Sequence, residues 1–167
     1  MSFLDWLRSA VDYEGVAGLA VRLLKFSRNM ELAVPMGRKM AACPMPLSVD
    51  YIVPVPIHWS RRAQRGFNQA EELADSLGCI DGRIRTELLI RHKATPPQAR
   101  ARGRQRRESL RGAFSSKPCP GVKVLLIDDV VTSGGTLEAC AEALKSAGAS
   151  WVGALTFARQ ISKGRLQ

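Results

Sequence analysis

Val122 to Ile127 form an apolar run of strand length, followed without a break by Asp128, Asp129, Val130 and Val131 and then by Thr132, Ser133, Gly134, Gly135 and Thr136. Such a run suits a strand buried on both faces of a parallel sheet. Leu137, Cys140, Ala141 and Leu144 mark a helix after the turn, closed by Gly148, and Trp151 to Phe157 supply one more strand. Strand, helix and strand within about forty residues make a βαβ unit, so the fold class is α/β with a mostly parallel sheet.

Ligands of open α/β sheets bind at the carboxyl ends of the strands, where this turn falls. The first turn of a helix offers unpaired N–H groups and the positive end of the helix dipole, which suits a phosphate. Gly134 and Gly135 let the backbone approach an anion, while Thr132, Ser133 and Thr136 add hydroxyl donors. Two adjacent carboxylates would repel that phosphate, so Asp128 and Asp129 must serve another group, and ribose hydroxyls are the obvious donors for them. Taken bare, the same residues could merely cap and tighten a turn. The whole string is more specific than that and points to a sugar phosphate. Neither GxxxxGK[ST] nor a GxGxxG after a strand is present, which argues against a P-loop nucleotidase and a Rossmann dehydrogenase.

Upstream, Val16, Leu19, Ala20, Leu23 and Leu24 predict an amphipathic helix over about 13–26, and a less regular one spans 30–42 before Pro44 and Pro46. Tyr51 to Val55 reads as a short strand ended by its prolines, and residues 57–69 as a loop feeding a helix with Ala70, Leu73, Ala74 and Leu77 on its apolar stripe. Gly78 closes that helix. From Arg91 to Arg111 eight basic residues are opposed only by Glu108, which describes an exposed, mobile arm. The expected organisation is one domain over 1–167: an N-terminal helical region at 1–48, a core at 49–159 carrying the basic loop 91–111, and a tail at 160–167.

The net charge of +10 points to anionic partners. No stretch is apolar enough to span a bilayer, and Asp5 and Arg8 interrupt what would be a signal peptide's apolar region, so a cytoplasmic protein without membrane insertion is expected. Cys43, Cys79, Cys119 and Cys140 are scattered, with no metal-ligand spacing, and read as reduced thiols with no metal site.

At the acid pair and the Thr/Gly loop the chain resembles the type I phosphoribosyltransferases. Residues 53–78, VPVPIHWSRRAQRGFNQAEELADSLG, are similar to the ComF family of competence-associated proteins, as are Tyr13 to Gly15, Leu23 to Phe26, Thr95 to Gln98 and Arg111 to Phe114. The resemblance covers about residues 8–159. It implies a central sheet flanked by helices with a small N-terminal hood, a ligand in phosphoribosyl pyrophosphate (PRPP), and Mg²⁺ carried by that ligand. Asp128 and Asp129 would hold the ribose hydroxyls and Thr132, Ser133, Gly134, Gly135 and Thr136 the 5′-phosphate. Arg61, Arg62 and Arg65, in the loop after the first sheet strand, would face pyrophosphate, with Asp128, Asp129 and Arg65 closest to catalysis. The basic arm would close over PRPP.

Three departures narrow the expectation. Thr132 stands where purine salvage members carry an acid, family members typically begin with a four-cysteine zinc module that would precede this chain, and Ser109 replaces an asparagine. Two functions follow. One is transfer of a phosphoribosyl group to an unidentified acceptor with release of pyrophosphate. The other is a PRPP-responsive or single-stranded-DNA-binding protein of DNA uptake, working with competence and recombination proteins, with Trp59 on a basic loop able to stack on a base.

Overall fold

A computed structural model describes residues 2–26, 30–78, 80–94, 110 and 112–160. Five parallel strands form the main sheet: β1 (Trp6–Asp12), β2 (Tyr51–Pro54), β3 (Arg83–Ile84), β6 (Lys123–Val131) and β7 (Trp151–Arg159), in the order β1-β7-β6-β2-β3. A separate antiparallel pair joins β4 (Leu89–Arg91) to β5 (Phe114–Ser116). The helices are α1 (Gly15–Phe26), α2 (Ala33–Ala41), α3 (Trp59–Arg65), α4 (Gln69–Asp75) and α5 (Gly135–Ser146), with a short 3-10 turn at Met30–Leu32. This is the α/β, parallel-sheet class that the 122–157 pattern predicts.

The alternation of β6 divides the core. Val124 and Leu126 pack with Leu137, Cys140, Ala141 and Leu144 of α5 and with the β4–β5 pair. Leu125 and Ile127 pack on the other face with Val21 and Leu24 of α1, Met36 and Met40 of α2, and Leu73 of α4. These four β6 side chains are fully buried, so the strand is covered on both faces as its composition demands. Pro54 is accommodated at the end of β2 because the amide of Val55 donates to Ile127 O on the β6 side. The proline nitrogen therefore faces the β3 side, where the pairing has already ended at Ile52 and Ile84.

Three elements depart from the sequence expectation. Trp6–Asp12, placed in an N-terminal helical region, is an edge strand paired in parallel with β7, Trp6 opposite Gly153 and Asp12 opposite Arg159. It is half-exposed and carries no continuous apolar face, so side-chain pattern does not announce it; Asp5 fixes it instead, accepting from the Val152 amide at 2.7 Å and pairing with Lys145 at 2.7 Å. The segment read as a loop contains α3, which buries no residue and so lacks an apolar stripe. Its ends are set by caps: His58 Nδ1 accepts from the Ser60 amide, and Gly66 at φ 85° donates its N–H to Arg62 O at 2.7 Å. Strand β6 runs four residues beyond Ile127, so both aspartates lie on the strand rather than in the turn. Of the basic arm, 95–109 and 111 lie outside the described residues, whereas Arg91 belongs to β4. Cys43, Cys119 and Cys140 are free thiols; Cys79 lies outside the described residues. No described helix is long and apolar enough to cross a membrane.

Candidate functional site

The chain leaves β2 through α3 and α4 toward the β3 edge, and leaves β6 through α5 toward β7 on the opposite side. The two paths diverge between β2 and β6, which makes their carboxyl ends the topological switch point of the sheet. A cleft of about 520 Å³ opens there. Residues following β2 form one wall, the end of β6 and the start of α5 form the floor, and the third side is formed by Tyr13, just before α1, with Arg22, Lys25 and Phe26 of α1.

Asp129 is almost fully buried, 5% exposed, and its Oδ2 is paired with Lys25 Nζ at 2.8 Å. Asp128, half-buried beside it, accepts from the Asp129 amide at 2.9 Å. Burial and then the neighbouring Asp129 push the Asp128 carboxyl up to about 7, with Lys25 and Arg91 opposing the rise. One carboxylate is thus neutralised by a lysine, while the other sits poised between its protonated and ionised forms.

Thr132, Gly134 and Thr136 line the cleft just beyond the acids. Gly134 caps α5 at φ 75°, a left-handed conformation that a Cβ would strain, and no side chain caps the helix. The open first turn therefore aims its N–H groups at the cleft. Ser133 and Gly135 belong to the same turn but do not line the cleft.

Arg61 and Arg65 of α3 line the opposite wall. Burial holds Arg65 below its ordinary value, the Arg61 charge adds to this, and Asp129 opposes it. Arg65 lies 5.5 Å from the Phe26 ring centroid and donates to Gln69 Oε1 at 3.2 Å. Arg62 does not line the cleft; it donates to Glu71 at 2.6 Å, an interaction that raises its pKa. Arg91 of β4 reaches the cleft as well, pushed down by burial and by Arg61. Asn68 locks the junction between the walls, its Nδ2 donating to Val55 O at 3.1 Å and its Oδ1 accepting from the Ala70 amide at the start of α4.

The sequence pattern points to the floor and two wall arginines but not to Arg22, Lys25 or Gln69, and to Arg91 only as part of the basic arm. Lys25 lies off the apolar stripe of Val16, Leu19, Ala20, Leu23 and Leu24, and only the docking of α1 over the sheet brings it to the cleft. The place of Arg91 on β4 depends on a partner strand more than twenty residues away.

The phosphoribosyl transferase domain family matches residues 63–166. The DNA utilization protein YhgH of Salmonella typhi is 36% identical over 165 residues, which cover 88% of this chain and 70% of the relative. The chain belongs to the ComF family of phosphoribosyltransferase-fold proteins. Competence protein F of Haemophilus influenzae is 32% identical over 127 residues, 73% of this chain and 54% of that protein. Among solved structures, an allosteric regulatory enzyme of purine biosynthesis superposes with a TM-score of 0.51 at 19% identity, covering 82% of this chain and 30% of that one. That similarity is one of fold. It places this ComF-family chain on the type I phosphoribosyltransferase architecture that its sheet order already describes.

Proposed function

We propose that the cleft binds PRPP and transfers its phosphoribosyl group to an acceptor, releasing pyrophosphate. The observation that carries this reading is the juxtaposition, at one switch point, of an acceptor-rich floor, an open helix N-terminus and a cationic wall. Ribose hydroxyls donate to Asp128 and Asp129, the 5′-phosphate takes the Thr132 to Thr136 turn, and pyrophosphate faces Arg61, Arg65 and Arg91. The bond from C1 to the pyrophosphate oxygen breaks as the bond from C1 to the acceptor forms, and the acceptor's proton leaves to solvent or pyrophosphate. Negative charge accumulates on the leaving group, so guanidinium groups lining the cleft favour the transition state over the ground state. Among the described residues no three His, Cys, Asp or Glu side chains converge as a metal cage. Mg²⁺ would arrive chelated by the ligand's own oxygens, where it would supply further positive charge to pyrophosphate. Arg91, at the start of the basic segment, lines the cleft. Incubation with Mg²⁺-PRPP and a panel of amines and bases should release pyrophosphate, and Asp129→Asn should reduce that release about a hundredfold or more. Unchanged release in the variant would refute the assignment.

A second reading is favoured by Trp59, 72% exposed at the start of α3 beside Arg61 and Arg62. With the +10 charge it would let the chain hold single-stranded DNA by stacking and phosphate contacts, in keeping with relatives named for DNA utilization and competence. Such binding must weaken steeply with salt. Fluorescence anisotropy of a labelled oligonucleotide should show that slope in the wild type and a several-fold loss in Trp59→Ala; a salt-independent signal would count against it.

A further inference from the structure

Gln69 is 3% exposed, and it lines the cleft from the first turn of α4. Its Oε1 accepts from Arg65 Nη1 at 3.2 Å. A guanidinium can only donate, so this contact fixes the orientation of the amide: the oxygen faces Arg65 and the NH₂ group faces elsewhere. Among the described residues Gln69 Nε2 is the one buried side-chain nitrogen or oxygen with no hydrogen-bond partner. An unmade hydrogen bond at a buried donor is destabilising, and its retention in a cleft wall indicates a partner that arrives from outside.

The chemistry of that partner follows from its surroundings. The floor of the cleft, Asp128 and Asp129, offers acceptors and takes donors. Gln69 Nε2 is a donor and needs an acceptor. It is bonded to the same side-chain amide carbon as the oxygen that holds Arg65, so an oxyanion drawn in by Arg65 comes within reach of both. Resting on the reading of this cleft as a PRPP site, we propose that Gln69 is a pyrophosphate-binding residue, which donates from Nε2 to a pyrophosphate oxygen while its Oε1 holds Arg65 in place. Arg65 and Gln69 act as one unit spanning α3 and α4. Its donors converge on the leaving group, opposite the carboxylates that face the sugar.

The experiment is calorimetric titration of the full chain with Mg²⁺-pyrophosphate and, separately, with ribose 5-phosphate, which reports on the turn and the acids without touching the wall. Gln69→Met, similar in length and volume but with no donor and only a weak acceptor, should weaken pyrophosphate about tenfold, leave ribose 5-phosphate within about twofold, and melt close to the wild type because removal of the orphaned donor offsets the lost Arg65 contact. Gln69→Glu keeps an acceptor for Arg65, so it provides a folded second variant; it should lose pyrophosphate further and still bind ribose 5-phosphate. A Gln69→Met protein that binds pyrophosphate as tightly as the wild type would overturn the proposal, as would one that melts well below the wild type with both ligands weakened alike. A wild type that binds ribose 5-phosphate but not pyrophosphate also overturns it. If the wild type binds neither ligand, the reading of the cleft itself falls.

Discussion

At the scale of single residues, the two aspartates have different burdens although they are adjacent in sequence. Asp129 has a lysine at 2.8 Å, whereas Asp128 is raised from 3.8 to about 7. A carboxyl whose folded value is raised binds its proton more tightly in the folded state than in the unfolded one. Its contribution to stability is therefore fully present below about pH 4 and is lost as pH rises through about 7. Asp128→Asn should remove that component of the pH dependence and melt higher than the wild type at pH 8, a comparison that thermal unfolding at pH 5 and pH 8 makes directly. Ligand hydroxyls need the ionised form, so ribose 5-phosphate affinity in the wild type should fall as pH drops below about 7. Lys25→Met leaves Asp129 buried without its cation and should destabilise the fold by about 2 kcal/mol in urea titration, less than a fully buried pair would lose because Lys25 is partly exposed. The acids were legible in the sequence because they follow an apolar strand and precede a Thr/Gly turn. Lys25 and Gln69 were not, since a cation on a helix and an amide after a basic segment acquire meaning only from what folds over them.

At the scale of elements, legibility tracks burial. Strands β6 and β7 and helix α5 were readable because each buries a face whose periodicity survives in the sequence. Both strands extend beyond the apolar run, since β6 carries the aspartates out to the site and β7 follows it through Arg159. The edge strand β1, the short β3 and helix α3 were not readable, because edge pairing, backbone caps and a solvent-facing helix leave little hydrophobic pattern. Helix α2 packs against the end of α4 through Gly37, where a Cβ would lie 2.5 Å from Ser76 Cβ and 2.7 Å from its carbonyl oxygen. Gly37→Ala should therefore cost about 1–3 kcal/mol in urea unfolding, since the close contact includes rigid backbone. A stabilising result would mean that the two helices separate freely. The expectation from helix propensity alone has the opposite sign, as alanine is the better helix former.

At the scale of the whole molecule, the site exists because connections on either side of the β2–β6 boundary run in opposite directions and leave a crevice. That topology brings together the TSGGT turn, the α3 arginines and α1, which are separated by tens of residues. The sequence pattern identified the α/β class and the floor of the crevice. It could not supply the third wall, which depends on how the N-terminal helix crosses the sheet. The central claim is that this crevice binds PRPP, and isothermal titration with Mg²⁺-PRPP tests it most directly, in the wild type and in Asp129→Asn. The expected result is saturable one-to-one binding in the wild type, weakened about tenfold or more in the variant. Absence of binding at millimolar PRPP, or equal affinity in the two proteins, would contradict it.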